Sequence, residues 1–306
     1  MDWLFILAGF ACLLIGGEAL VSGAVSLAKR LGVPPMVIGL TLVGFGTSTP
    51  ELVTSVQAAL KGSPGIAVGN VVGSNIANIL LILGLSALLA PIAVERLAFR
   101  RDGTGLFLVT VLALALMLQG TLGAGSGIIL LVGLGAYLAA SSLIRVLGDA
   151  APADDGPQRP PALSILWFVG GLAIVLVGAH VLVLGAVGVA RDLGVSETVI
   201  GLTIVAVGTS LPELVTSVIA ARKGESEVAL GNILGSNVFN LLGILGITAL
   251  VTPLEVPPEI LTGDLWIMLA VTVALIAACL TGVGISRKEG AGFLTGYGAY
   301  LCWLAA

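Results

Sequence analysis

The chain is a succession of long apolar runs separated by short polar joints. A hydrocarbon core about 30 Å thick is crossed by about 20 apolar residues in a helix. On that measure the runs predict ten spanning helices, at 3–28, 33–60, 65–90, 104–119, 125–147, 163–190, 195–221, 227–252, 262–281 and 290–304. No long run alternates apolar and polar positions, as a membrane barrel would require. The expected class is therefore an all-α membrane protein. Two runs, 33–60 and 195–221, are longer than a bilayer needs and contain Pro50 and Pro212, so tilting or kinking is expected there.

Composition agrees. The 306 residues are 58% apolar and 10% charged, with a mean hydropathy of +1.15; a soluble domain carries about 25% charged residues. The 43 glycines suit close helix packing in lipid. Cys12, Cys279 and Cys302 are odd in number and lie in apolar runs, so they form neither a disulfide framework nor a metal-binding spacing. The first run is not read as a cleaved leader, because it is too long and Asp2 stands where a basic segment is needed.

The basic residues orient the chain. If the first helix starts outside, the cytoplasmic ends carry Lys29, Arg30, Arg96, Arg100, Arg101, Arg145, Arg159, Arg222, Lys223, Arg287 and Lys288, which is 11 of the 13. The external ends keep only Lys61 and Arg191. The positive-inside rule then places both termini outside. A missed helix would scramble this division, so the asymmetry also supports the count. A Pro- and Asp-rich stretch at 148–161 is the one clear linker, cytoplasmic on this reading. It joins two five-helix units, 1–147 and 162–306, and is too short to be a regulatory domain.

The two units are related. Residues 31–84 align with 193–246 without gaps at an offset of 162, and 34 of 54 positions are identical. Five is odd, so the second unit enters the membrane from the opposite side. That is an inverted-topology repeat, a transporter plan in which two like halves present one central site to either side.

Identity concentrates at polar positions. Thr47, Ser48 and Glu51 lie on the second helix, and Ser74 and Asn78 on the third. Their counterparts are Thr209, Ser210 and Glu213 on the seventh and Ser236 and Asn240 on the eighth. The spacing i,i+4 puts Thr47 with Glu51, and Ser74 with Asn78, on one helix face. Helices 2–3 and 7–8 thus form the expected core. Taken singly, the hydroxyls read as backbone hydrogen bonders and the asparagines as glue between helices. Grouped with a duplicated glutamate at membrane depth, they read as cation ligands. No Lys or Arg shares that depth, and an intramembrane carboxylate calls for a partner or a water-filled path. Pro50 and Pro212 lack an N–H and so free the carbonyls of Gly46 and Gly208. Two facing copies make an oxygen cage of charge −2. Ca²⁺ accepts 6–8 hard oxygen ligands, often with bidentate carboxylates. The cluster contains no His or Cys, which argues against zinc or copper. Gly69, Gly73, Gly231 and Gly235 read as tight-packing positions, and Asn70, Asn75, Asn232 and Asn237 as helix-holding ones. Glu18 and His180 occupy equivalent positions on helices 1 and 6 and are expected to hydrogen-bond a neighbouring helix.

The segments "GTSTPELVTS…GNVVGSNIAN" and "GTSLPELVTS…GNILGSNVFN" resemble the two α-repeats of sodium/calcium exchangers, within the cation/calcium exchanger superfamily. The resemblance implies a short, prokaryotic-type exchanger, with Ca²⁺ and Na⁺ moved in opposite directions by alternating access. It implies Glu51 and Glu213 as shared Ca²⁺ and Na⁺ ligands. Thr47, Ser48, Ser74, Thr209, Ser210 and Ser236 would flank them at Na⁺ sites, with the carbonyls of Gly44 and Ala206. Helices 1 and 6 resemble the pair that slides to switch access. Archaeal and potassium-dependent relatives carry Asp where this chain has Asn240, so K⁺ coupling is not expected. The linker lacks the large Ca²⁺-sensing domain of animal exchangers.

The expected function is therefore electrogenic Na⁺/Ca²⁺ antiport in a prokaryotic plasma membrane. The expected partners are the two ions and the bilayer, with no enzymatic activity, prosthetic group, nucleic acid or obligate protein partner. The nearest rival is a Ca²⁺/H⁺ antiporter, in which the two glutamates load protons; the duplicated hydroxyls and amides favour Na⁺, because protons need no oxygen shell. A passive cation channel fits an inverted repeat less well. An intramembrane protease lacks its residues: His180 is the only histidine and sits in no catalytic motif, and each Asp lies near a predicted helix end or loop.

Overall fold

A computed structural model describes residues 1–147, 160–195, 204, 206–282 and 284–304. Most of the predicted linker, and residues 196–203 of the predicted seventh helix, lie outside the described residues.

The first unit contains α1 (Asp2–Leu31), α2 (Pro35–Thr47), α3 (Thr49–Leu60), α4 (Pro64–Leu89), α5 (Arg96–Met117) and α6 (Ala124–Leu147). The second contains α7 (Pro161–Asp192), α8 (Ala206–Thr209), α9 (Leu211–Arg222), α10 (Ser226–Val251), α11 (Ile260–Thr281) and α12 (Arg287–Leu304). Among the described residues six helices are long and apolar enough to cross a membrane: α1, α4, α6 (through Ala124–Ser141), α7, α10 and α11. Together α2 and α3 make a seventh, bent by 42°.

That bend falls at Ser48, two residues before the proline expected to cause it. Pro50 sits in the first turn of α3, where a missing N–H breaks no helical bond. Two other helices start earlier than predicted. Charged residues at 96–102 and 287–289 read as loop on hydropathy, yet they form first turns. At α12 the cause is a reciprocal cap. The Ser286 backbone N–H donates to Glu289 Oε2 at 2.7 Å, and the Glu289 N–H donates to Ser286 Oγ at 3.3 Å. Turns wider than α interrupt α2, α4 and α10 at Gly39–Val43, Asn78–Leu83 and Phe239–Ile244. Such widened turns cluster at functional sites, and the last two contain Asn78 and Asn240.

Two minimal strand pairs depart from the all-helical expectation. Ile92–Ala93 (β1) pairs with Gly284–Ile285 (β4), and Thr121–Leu122 (β2) with Leu254–Glu255 (β3), each antiparallel. Both join a loop of one unit to a loop of the other.

Glycine positions set the packing. α1 and α7 lie along one another. A Cβ added at Gly16 would come within 2.8 Å of Val175 N, and one at Gly178 within 2.9 Å of Leu13 N. No side chain fits between these backbones, so the two helices form a single close-packed pair. The inner layer is built the same way: α10 packs on α2, where a Cβ at Gly231 would meet Met36 O at 2.6 Å and one at Gly44 would meet Ser236 N at 2.8 Å. α3 packs on α4, and α9 on α10. The polar residues of the sequence motifs therefore meet where α2–α3, α4, α9 and α10 converge.

Candidate functional site

The breaks before α3 and α9 bring Glu51 and Glu213 into the first turns of those helices, and both side chains are 1% exposed. Each carboxylate is held by a hydroxyl from the opposite unit. Ser48 Oγ donates to Glu213 Oε1 at 2.7 Å, and Ser210 Oγ donates to Glu51 Oε1 at 3.0 Å. Ser236 Oγ lies 3.4 Å from Glu213 Oε1 and 3.2 Å from the Gly44 carbonyl oxygen, donating toward both. Thr47 Oγ1 donates to Asn232 Oδ1 at 3.1 Å and toward the same Gly44 carbonyl at 3.3 Å.

The asparagines divide into two roles. Asn70 Nδ2 donates to the Glu51 backbone carbonyl at 3.3 Å and to Ser55 Oγ at 2.9 Å. Asn232 Nδ2 donates to the Glu213 carbonyl and to Ser217 Oγ at the same two distances, 3.3 and 2.9 Å. These two fix the backbone that carries each glutamate, the helix-holding role expected of them. Asn75 Nδ2 donates to Val71 O at 2.7 Å, within its own helix. Asn78 Nδ2 crosses to Asn237 Oδ1 at 3.0 Å.

What remains is a set of buried oxygens with no hydrogen-bond partner among the described residues: Glu51 Oε2, Glu213 Oε2, Asn78 Oδ1 and Asn240 Oδ1. Buried polar atoms are nearly always satisfied. Two carboxylates with no cationic side chain paired to them among the described residues, ringed by orphaned acceptors and by hydroxyls, make a donor set for a hard cation. Ser74 is buried and borders a cavity next to this cluster. Thr209 ends α8 and is partly buried; Ala206 opens α8.

The expected glycine roles split. Gly231 and Gly235 are pressed against α2, with an added Cβ at Gly235 striking the Leu40 carbonyl. Gly69 and Gly73 line the cavity instead, and among the described residues nothing lies within 4 Å of a Cβ added at Gly73. Glu18 does meet a neighbouring helix, in an ion pair with Lys223 at the end of α9; Lys223 Nζ also donates to Ser22 Oγ at 3.0 Å. His180 is exposed on α7. Asp102 and Asp264 lie in the second turns of α5 and α11, near the helix starts, and both are buried, at 2% and 8% exposure.

Residues 1–143 and 163–306 match the family model described as sodium/calcium exchanger protein. The chain belongs to this family. It is 35% identical to the sodium/calcium exchanger MaX1 of Methanosarcina acetivorans, over 98% of this chain and 97% of that one. It is 36% identical to the inner membrane protein YrbG of Escherichia coli, over 98% and 94%. The fold matches a solved structure of the sodium-calcium exchanger NCX_Mj soaked with zero Na⁺ and Ca²⁺, with a TM-score of 0.89, 32% identity and coverage of 99% and 98%. Family and fold together make this chain a multi-pass membrane transporter of the cation/Ca²⁺ exchanger kind.

Proposed function

We propose that the chain exchanges Na⁺ for Ca²⁺ at one central site formed by Glu51 and Glu213. The observation that carries the reading is the crossed pair of bonds, Ser48 to Glu213 and Ser210 to Glu51, around carboxylates that pair with no cationic side chain among the described residues. Ca²⁺ takes both carboxylates. Na⁺ takes the same carboxylates and the flanking oxygens of Thr47, Ser48, Ser74, Asn78, Thr209, Ser210, Ser236 and Asn240, with the carbonyls of Gly44 and Ala206. One Ca²⁺ balances the two carboxylates, and so do two Na⁺. The flanking oxygens give room for a further Na⁺, which makes the cycle electrogenic. The relative named as a sodium/calcium exchanger supports Na⁺ as counter-ion.

The architecture that goes with this function is ten spanning helices in two inverted repeats, 1–147 and 162–306, joined by a cytoplasmic linker at 148–161. The gap-free offset of 162 supports the repeat. Matched turns support it as well: glycines with left-handed φ end helices at Gly32 and Gly194, and at Gly62 and Gly224. The division of basic residues, 11 against 2, supports termini outside a prokaryotic plasma membrane.

The test is Ca²⁺ uptake into proteoliposomes driven separately by a Na⁺ gradient and by a pH gradient, at several clamped potentials. Na⁺-driven uptake that changes with voltage is the expected result; one net charge is worth about 2.3 kcal/mol per 100 mV. Uptake driven by pH alone makes the protein a Ca²⁺/H⁺ antiporter. Uptake with no counter-ion makes it a channel.

A further inference from the structure

Outside the two-glutamate site, a buried carboxylate near the start of α11 is left without a role in exchange. Asp264 is 8% exposed in α11, and its Oδ1 accepts the Tyr300 hydroxyl at 2.7 Å. Among the described residues no cationic side chain pairs with it. Its counterpart at the 162-residue offset, Asp102, has Arg101 Nε at 3.2 Å from its Oδ1. Gly263 stands where the second unit would need that arginine. The second unit has thus kept the buried acid without the basic neighbour.

Asp264 borders a cavity of about 460 Å³. Asn70, Gly73 and Ser74 of α4 line it too, and so does Ser210, whose hydroxyl holds Glu51. One wall of the cavity is therefore also a wall of the exchange site. A carboxylate buried in a membrane protein without a cationic partner is a functional-site candidate by default.

We propose that this cavity is a cation vestibule, in which Asp264 captures a monovalent cation, Na⁺, before it passes to the Ser210–Glu51 side of the exchange site. Charge selects the occupant. A single carboxylate neutralises one positive charge, and the hydroxyls and amide around it are neutral, so a divalent ion would keep an uncompensated charge in a low-dielectric cavity. Tyr300 is a positioning residue: its hydroxyl occupies Oδ1 and leaves Oδ2 as the acceptor open to the ion. The identity of the occupant rests on the exchange reading; the cavity's preference for positive charge rests on geometry alone, and the test separates the two.

The test places a thiol in the cavity. Gly73→Cys adds a side chain where nothing lies within 4 Å among the described residues, in a background carrying Cys12→Ala, Cys279→Ala and Cys302→Ala. The purified protein is treated in detergent with a cationic and an anionic methanethiosulfonate of similar size. The cationic reagent should react on the order of tenfold faster, and Na⁺, unlike choline, should slow it. Adding Asp264→Asn should erase the preference and raise the half-protecting Na⁺ concentration severalfold, and Asp264→Glu should restore both. Equal rates for the two reagents in the protein that retains Asp264 overturn the vestibule, whether or not Asp264→Asn folds. A preference that survives Asp264→Asn overturns the assignment to that residue, and protection by Ca²⁺ at lower concentration than Na⁺ overturns the monovalent occupant. Labelling does not depend on transport, so uptake driven by protons alone would sink the exchange reading and leave the charge preference to stand or fall by itself.

Discussion

The two halves of the molecule clamp the backbone of each glutamate at the same distances, and differ where they meet their surroundings. Asn70 and Asn232 clamp the backbones of Glu51 and Glu213 with matching bonds of 3.3 and 2.9 Å. Yet Gly231 and Gly235 are sealed against α2, whereas Gly69 and Gly73 open on a cavity. Arg101 lies beside Asp102, whereas Asp264 borders that cavity. Asn78 is tied to Asn237, whereas both amide atoms of Asn240 are buried without a partner among the described residues. Symmetry is kept by the two glutamates and the asparagines that clamp their backbones, whereas the oxygens around them break it: Ser236 reaches Glu213, and Ser74 borders the cavity.

The largest effect should come from the symmetric part. Glu51→Gln and Glu213→Gln keep shape and volume but remove one of two charges. Truncating a buried charge pair costs about 2–5 kcal/mol, so each variant should lose at least about thirtyfold in Ca²⁺ exchange while eluting as a folded protein. Tracer Ca²⁺ uptake is the measurement. Full activity in either variant would end the claim that the halves contribute equally.

Next comes the packing asymmetry. Gly235→Ala drives a methyl group into the Leu40 carbonyl. Overpacking costs about 1–3 kcal/mol, and backbone yields less readily than a side chain, so the upper end is expected. Gly73→Ala should leave stability nearly unchanged. The two substitutions are sequence equivalents, so unfolding midpoints in detergent compare them directly. Equal losses would mean that the cavity closes in solution.

The asparagine clamps should cost less and cost the same. Asn70→Ala and Asn232→Ala each leave a buried hydroxyl and a backbone carbonyl short of a donor, worth about 1–3 kcal/mol. Both should also loosen the neighbouring glutamate and weaken Ca²⁺ affinity in parallel. A difference much above 1 kcal/mol between them would show that the geometric match hides an energetic mismatch.

The glutamates, their hydroxyls and the clamping asparagines were legible in the sequence because duplication marks them twice, in unlike surroundings. The helical membrane-protein class was legible because lipid permits so few backbone solutions. The break at Ser48 was not: Pro50 announces a disturbed helix, but proline is tolerated in a first turn, so the chain breaks just upstream. Asp264 stands two residues inside the predicted start of its run, where hydropathy cannot tell a buried acid from a helix end. The Gly69/Gly73 cavity was hidden for a related reason. A small-xxx-small pair permits close packing, but whether a partner helix takes up that space depends on the rest of the fold.

The smallest predicted effect concerns how α1 meets the inner layer. Glu18 forms an ion pair with Lys223, with side chains 55% and 33% exposed, and Ser22 shares the lysine. The sequence equivalents in the other half are His180 and Lys61, which cannot form an acid–base pair. The pair therefore ties the α1–α7 unit to the end of α9, and nothing equivalent can tie it to the end of α3. If α1 and α7 slide as a unit, as their glycine-to-backbone contacts favour, the link stabilises only one end of that motion. Exposed ion pairs are worth about 0.2–1 kcal/mol, so Glu18→Gln should shift the balance between the two arrangements by no more than about fivefold. Spin-label distances between α1 and the end of α9 would report the shift, and added salt should mimic it in the unmodified protein. The exchanged pair, Glu18→Lys with Lys223→Glu, should restore the original distribution. A distribution unmoved by Glu18→Gln and by salt would mean that glycine packing alone sets the resting position, and that the halves are mechanically equivalent there despite their different charges.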